Sequence, residues 1–134
     1  MRRTNLVHPE SGGDLGEFRA MDIRTGKTIW RQRMPSPMNT AALTTASGLV
    51  FAGDWDRYMY AFNAATGTVL WKTRLPTSVQ GFPITYSVNG RQFVAVPAGA
   101  GGASWSTQIA PDLRPDIRRP GGANNSLFVF ALPE

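Results

Sequence analysis

The chain has no cysteine among its 134 residues, which excludes a disulfide framework, a thiolate metal site and a cysteine nucleophile. Histidine is almost as scarce: the one copy, His8, stands in the N-terminal stretch MRRTNLVHPESGGD with no second ligand near it, so a metal role is not expected there. Long apolar runs are absent as well. No stretch of about 18 apolar residues is available to span a bilayer, and Arg2-Arg3 are not followed by the roughly 7–15 apolar residues of a secretory signal, so neither a membrane span nor a signal peptide is expected in this chain. Negative charge is sparse, with 9 acidic against 14 basic residues, and the net charge is +5. That excess is nearly all arginine, 12 Arg to 2 Lys, and it is scattered apart from Arg2-Arg3 and the set Arg114, Arg118, Arg119. Nucleic-acid binders gather their cations on one face beside stacking aromatics, and no such interleaving is visible, so nucleic acid is not an expected partner.

What the chain does have is turn residues and a repeat. Fourteen glycines and ten prolines, with 42% hydrophobic residues, favour a globular fold of many short strands over one of long helices. Phe18 to Trp30 (FRAMDIRTGKTIW) recurs as Met59 to Trp71 (MYAFNAATGTVLW), with Ala20/Ala61, Asp22/Asn63, Thr25/Thr66, Gly26/Gly67 and Trp30/Trp71 in register. From position 30 to position 71 the spacing is 41 residues. A strand-built repeat of that length matches the roughly 40–50 residues of one four-stranded blade in a β-propeller. The fold class expected is therefore all-β, as propeller blades.

Gly16 to Asp22 and Lys27 to Met34 flank the turn at Arg24-Thr25-Gly26 and read as a hairpin, which Pro35-Ser36-Pro37 ends. Ala41 to Thr45, Leu49 to Ala52, Tyr58 to Phe62 and Val69 to Lys72 read as four further strands, separated by Ala46-Ser47-Gly48, by Asp54-Trp55-Asp56-Arg57 and by the Thr66-Gly67 turn. After Pro76, Ile84 to Val88 and Gln92 to Val96 flank Asn89-Gly90, a strong hairpin signal because both turn residues tolerate positive φ. The reading divides the chain into a flexible leader over 1–15 and a partial propeller domain over 16–134. Within that domain it places blade repeats near 16–57 and 58–97, a Gly- and Pro-rich surface loop over 98–125 and a closing strand over 126–132.

The tryptophans of the repeat have a packing role on this reading. Each follows a Thr-Gly turn by four residues from the Gly, where an indole docks against the neighbouring blade; Ala20 and Ala61 leave room, and Asp22 and Asn63 cap the turns. Trp30 and Trp71 are thus structural, as are Gly26 and Gly67. Trp55 and Trp105 lie off the repeat and are freer to touch a ligand. Asp54 and Asp56, two residues apart in one turn, read as turn formers and partners of Arg57 in preference to metal ligands, since a calcium site needs about six to eight oxygens.

The segment AMDIRTGKTIW (Ala20 to Trp30) resembles the tryptophan-docking motif of the quinoprotein dehydrogenases, eight-bladed propellers that bind pyrroloquinoline quinone (PQQ) with a calcium or lanthanide ion. The resemblance continues through LTTASGLVFAGDWDRYMYAFNAATGTVLW, GFPITYSVNGRQFVAVPAGAGG and the closing SLFVFALPE. It implies the C-terminal part of such an enzyme: about two four-stranded blades plus a closing C-terminal strand. It also implies a periplasmic setting and a small alcohol or sugar as substrate of the whole protein. The family's metal ligands and catalytic aspartate map onto no residue here, so no catalytic and no metal residue is assigned. The cofactor-binding residues implied are Asn39, as a donor to a quinone oxygen or carboxylate, and Met38, standing where relatives carry a Trp; an ordinary blade-connecting loop is the equal alternative. Expected partners are the rest of the propeller, a complementary fragment or a second copy, and a non-catalytic propeller-repeat scaffold or protein-binding module is the alternative function.

Overall fold

A computed structural model of the chain describes residues 6–99, 105–117 and 125–132. Nine strands and one helix lie among them, in three antiparallel sheets. The first sheet is a hairpin of β1 (Gly16–Met21) and β2 (Thr28–Met34); the second runs in the order β3 (Leu43–Thr44), β4 (Leu49–Gly53), β5 (Tyr58–Asn63), β6 (Val69–Arg74); the third in the order β7 (Ile84–Val88), β8 (Arg91–Ala98), β9 (Ser126–Ala131). The sheets do not close into a ring.

Local chemistry explains the turns. Asn89 and Gly90 have φ of 50° and 78°, the left-handed pair that a two-residue hairpin requires. The two Thr-Gly turns are copies of each other. Asp22 Oδ1 accepts from the backbone of Arg24 (2.8 Å) and Thr25 (3.3 Å), as Asn63 Oδ1 accepts from Ala65 (2.9 Å) and Thr66 (3.1 Å). Gly26 and Gly67 then take φ of 69° and 73°, which a side chain would strain.

Two apolar layers hold the sheets face to face. Between the first and second sheets lie Met34, Val50, Ala52, Tyr60 and Phe62, with Phe18 and Met38 against them. Between the second and third lie Phe51, Met59, Ala61, Leu75, Val79, Val94 and Val96, with Phe128 and Phe130 against them. A third cluster joins Trp55, Ala110, Ile117 and Leu15.

Three features differ from the sequence reading. The complete four-stranded sheet spans Leu43–Arg74 and so straddles the expected boundary at 57/58, because the repeated Thr-Gly-Trp unit forms the last hairpin of a sheet and not a whole sheet. The stretch 98–125, expected as a loop, holds helix α1 (Trp105–Leu113), whose Ala110 is buried against Trp55 and Leu15. Residues 6–15, expected as a flexible leader, contain a 3-10 turn at Pro9–Ser11; Arg114 donates from Nη1 to the Gly13 carbonyl at 3.1 Å, and Leu15 N donates to Pro35 O at 3.3 Å. Gly101, Gly102, Arg118, Arg119 and the indole of Trp105 lie outside the described residues.

β9 occupies the third place in its sheet, as β5 does in the second. Phe128–Leu132 (FVFAL) is similar in sequence to Tyr58–Phe62 (YMYAF), and the two stand in equivalent positions.

Candidate functional site

The segments that enter the second and third sheets carry the candidate residues. Met38 bridges Asp54 and Val79 bridges Ala98, so each entering segment pairs with the far end of the second strand before its own first strand begins. Asn39 N donates to Gly53 O at 3.1 Å, and Gly53 N donates to Thr40 Oγ1 at 2.8 Å. Across the junction, Val79 N donates to Asp54 O at 3.3 Å and Ser78 Oγ donates to Trp55 O at 2.7 Å. Gly53 is obligatory here, since a Cβ would stand 2.5 Å from the Val79 side chain. The result is one tightly tied end where the second and third sheets meet.

Asp54 lies at its centre, 1% exposed. Its Oδ1 accepts from Tyr58 N and its Oδ2 from the Tyr60 hydroxyl, both at 2.9 Å. Burial disfavours the charge more than these donors favour it, and the carboxyl is pushed up to about 6. Burial, and then the Asp54 charge, drives the Tyr60 hydroxyl far above its ordinary value. Both groups are thus buried and joined by one hydrogen bond. Asp56 is half-buried and pairs with Arg74 at 2.7 Å, with Arg57 at 3.8 Å. Arg57 takes φ of 77°, and its Nε is buried with no hydrogen-bond partner among the described residues. No group of three or more His, Cys, Asp or Glu side chains suited to a metal occurs among the described residues.

The two residues expected to meet a cofactor part company. Asn39 is half-buried, with its backbone fixed by Gly53. The Met38 side chain packs into the layer with Met34, Val50 and Tyr60, so its thioether is committed to joining sheets. Trp55, read as free for a ligand, is 3% exposed under α1. The sequence reading passed over Tyr60 as the partner of Asp54 and Ser78 as the clasp on Trp55. A signal existed for the latter: the spacing of 41 extends through Pro35/Pro76 and Met38/Val79, which places Ser78 opposite Pro37 of the preceding repeat.

The repeat tryptophans stand apart from this end. Trp30 Nε1 donates to Ala64 O at 2.8 Å, and its ring lies so close to Gly67 that a Cβ there would fall 2.5 Å from it. Ala20 pairs with Trp30 and Ala61 with Trp71 across their hairpins, small residues beside large ones. Trp71 meets Phe130 edge-on at 5.2 Å between centroids. No helix among the described residues is long and apolar enough to cross a membrane.

A family model described as the PQQ glucose/ethanol/alcohol dehydrogenase beta-propeller domain matches residues 34–94. The chain is similar to a quinoprotein ethanol dehydrogenase of Pseudomonas putida, 36% identical over 89% of this chain and 19% of the relative. It is also similar to the quinoprotein alcohol dehydrogenase PedH of Pseudomonas putida, 34% identical over 96% of this chain and 21% of the relative. Among solved structures it superposes on a europium-containing methanol dehydrogenase with a TM-score of 0.73 and 30% identity, over 87% of this chain and 23% of that one. The chain spans about a fifth of the length of the curated relatives it matches.

Proposed function

The chain belongs to the PQQ β-propeller family of quinoprotein dehydrogenases, and on that premise we propose that it serves as consecutive blades of an alcohol-oxidising propeller, inactive without the blades it lacks. The observation that carries this is the likeness along nearly the whole chain, 89% of it in one ethanol dehydrogenase and 96% in another alcohol dehydrogenase. Sugars are the second substrate class within the reading, and the periplasm is its expected setting.

For the implied cofactor this reading takes one donor from the chain, and for its metal the described residues offer no ligand cluster. Asn39 offers an amide that can donate to a carboxylate or carbonyl from a backbone fixed by Gly53. A PQQ ring, when bound, accepts the hydride taken from the alcohol. This chain's part is to position that one donor and to hold the neighbouring sheets together at Asp54, Val79 and Ser78. Calcium or a lanthanide needs several oxygen ligands, and the described residues supply no cluster of them.

A scaffold function is the second reading. It is favoured by the commitment of Met38, Asp54 and Trp55 to packing. A chimaera separates the two, with this chain replacing the matching fifth of the Pseudomonas putida ethanol dehydrogenase. Retained PQQ absorbance and ethanol-dependent dye reduction in the chimaera, with neither in the isolated chain plus PQQ and calcium, are expected. A chimaera that folds and melts like its parent yet holds no PQQ sinks the catalytic reading in favour of the scaffold.

A further inference from the structure

The repeat spacing of 41 gives Asn39 a counterpart in Gln80. The segments that hold the two are built alike, for each amide follows the residue that bridges the far end of a second strand, Met38 to Asp54 and Val79 to Ala98. Trp55 N donates to Pro37 O at 3.0 Å, as Gly99 N donates to Ser78 O at 2.9 Å. Met38 packs into the layer between the first two sheets and Val79 into the layer between the second and third, so the next residue of each extended segment faces the other way. Both next residues carry a primary amide, and both are half-buried.

The packing of the sheets shows which side these amides are on. The second and third sheets approach closely at β4, where Gly53 leaves no room for a Cβ against Val79. They stand apart at β6, where even the Trp71 indole leaves a cleft of about 490 Å³. Sheets that fan out toward β6 put the axis of a ring on the side of β3 and β7, the strands into which the entering segments lead. Asn39 and Gln80 thus stand on the axis side, one sheet apart.

The Gln80 amide has no hydrogen-bond partner among the described residues, and it opens on a cleft of about 450 Å³ shared with Gly99 and Asn125. A donor half out of water and without a partner is disfavoured over an apolar side chain. A further sheet packed on the third as the third packs on the second would cover Pro97, the counterpart of Gly53. It would not close off Gln80, because Asn39 stays half-buried with its own neighbouring sheet in place.

We propose that Gln80 is a second cofactor-binding residue, whose Nε2 donates to a carboxylate or carbonyl oxygen of the same PQQ molecule that Asn39 meets. The inference rests on the function proposed above and goes beyond it by giving the third sheet a direct part in holding the quinone.

The test uses the chimaera and reads PQQ retention by equilibrium dialysis, with melting temperature as the check on folding, so it does not depend on turnover. Gln80→Leu keeps the size and removes the donor, and it weakens retention about tenfold, the effect of losing one hydrogen bond to a charged group. Gln80→Glu keeps the shape and sets a carboxylate against those of PQQ, weakening retention about a hundredfold. Gln80→Lys still donates and holds PQQ within about threefold of the native residue. A packing role would order the variants by apolar fit, with Leu the best tolerated. Equal retention in the native and Leu chimaeras overturns the inference and leaves the proposed function intact. A native chimaera that folds and holds no PQQ overturns both.

Discussion

At the junction of the first and second sheets, the Trp30 indole lies flat against Gly67 and donates its N–H to the Ala64 carbonyl at 2.8 Å. At the junction of the second and third, Trp71 stands in the equivalent place on β6, touches Phe130 edge-on, and is still 39% exposed. A cleft of about 490 Å³ opens beside it, lined by Leu49, Met59, Val94 and Phe130 among others. The indole N–H of Trp71 has no acceptor among the described residues. What differs is the receiving turn. Trp30 meets the Asn63–Thr68 turn, whereas Trp71 meets the ring of Phe130 on β9. Gly67, with its positive φ, is thus half of the first dock.

Removing each indole in turn should separate the two junctions most strongly. Trp30→Ala deletes a docked ring with its hydrogen bond and is expected to cost about 3–5 kcal/mol, the range for large aromatic truncations. Trp71→Ala, at a half-open site whose ring keeps much of its contact with water, should cost only about 1 kcal/mol. Urea denaturation of both variants is the measurement. Equal losses would mean that the second dock is as complete as the first, and the comparison would collapse.

A buried titrating group links the two junctions. Asp54 holds Tyr60, a member of the layer between the first two sheets, and its carboxyl titrates at about 6 in place of the ordinary 3.8. The native state thus binds this proton more tightly than the unfolded chain does. By linkage, the stability it contributes is fully present below about 3.8 and is lost as pH rises through about 6. Two units correspond to roughly 3 kcal/mol at most. Asp54→Asn keeps an acceptor for Tyr58 N and cannot ionise, so its stability should stay level over that range while the native chain weakens. Parallel curves for the two proteins would remove Asp54 as the source.

These contrasts were legible in the sequence to different depths. The Thr-Gly turns and Asn89-Gly90 could be read because their geometry follows from one or two local residues: a side-chain cap and a glycine that accepts positive φ. The sheet boundaries could not. A 41-residue repeat fixes the period and leaves the phase free, and the phase is set by the bridges Met38 to Asp54 and Val79 to Ala98, which join segments far apart in the chain. Helix α1 was hidden by its flanks, since Gly and Pro crowd both sides of a stretch that is itself free of glycine, and its burial depends on Trp55 and Leu15 from elsewhere. At the candidate site Asn39 is named by the family resemblance alone. The burial of Asp54 could not, because an Asp-Trp-Asp turn reads as exposed until the neighbouring sheet covers it.

The glycines of the two turns allow the comparison to be made without touching a tryptophan. Gly26 and Gly67 share nearly the same φ, so Gly→Ala at either incurs the same left-handed strain, about 1–2 kcal/mol. Only the second also meets the indole. A Cβ at Gly26 has no heavy atom within 4 Å, whereas at Gly67 it would fall 2.5 Å from the Trp30 ring. Gly67→Ala must therefore push the indole off its platform and stretch its bond to Ala64, adding about 1–3 kcal/mol of overpacking to the shared strain. The difference between the two variants, not either loss alone, measures the dock. It should come with a red shift of tryptophan emission in Gly67→Ala and none in Gly26→Ala. If the two losses match and the spectra coincide, Trp30 is held by Phe18 and Phe62 alone, and the turn is a bystander.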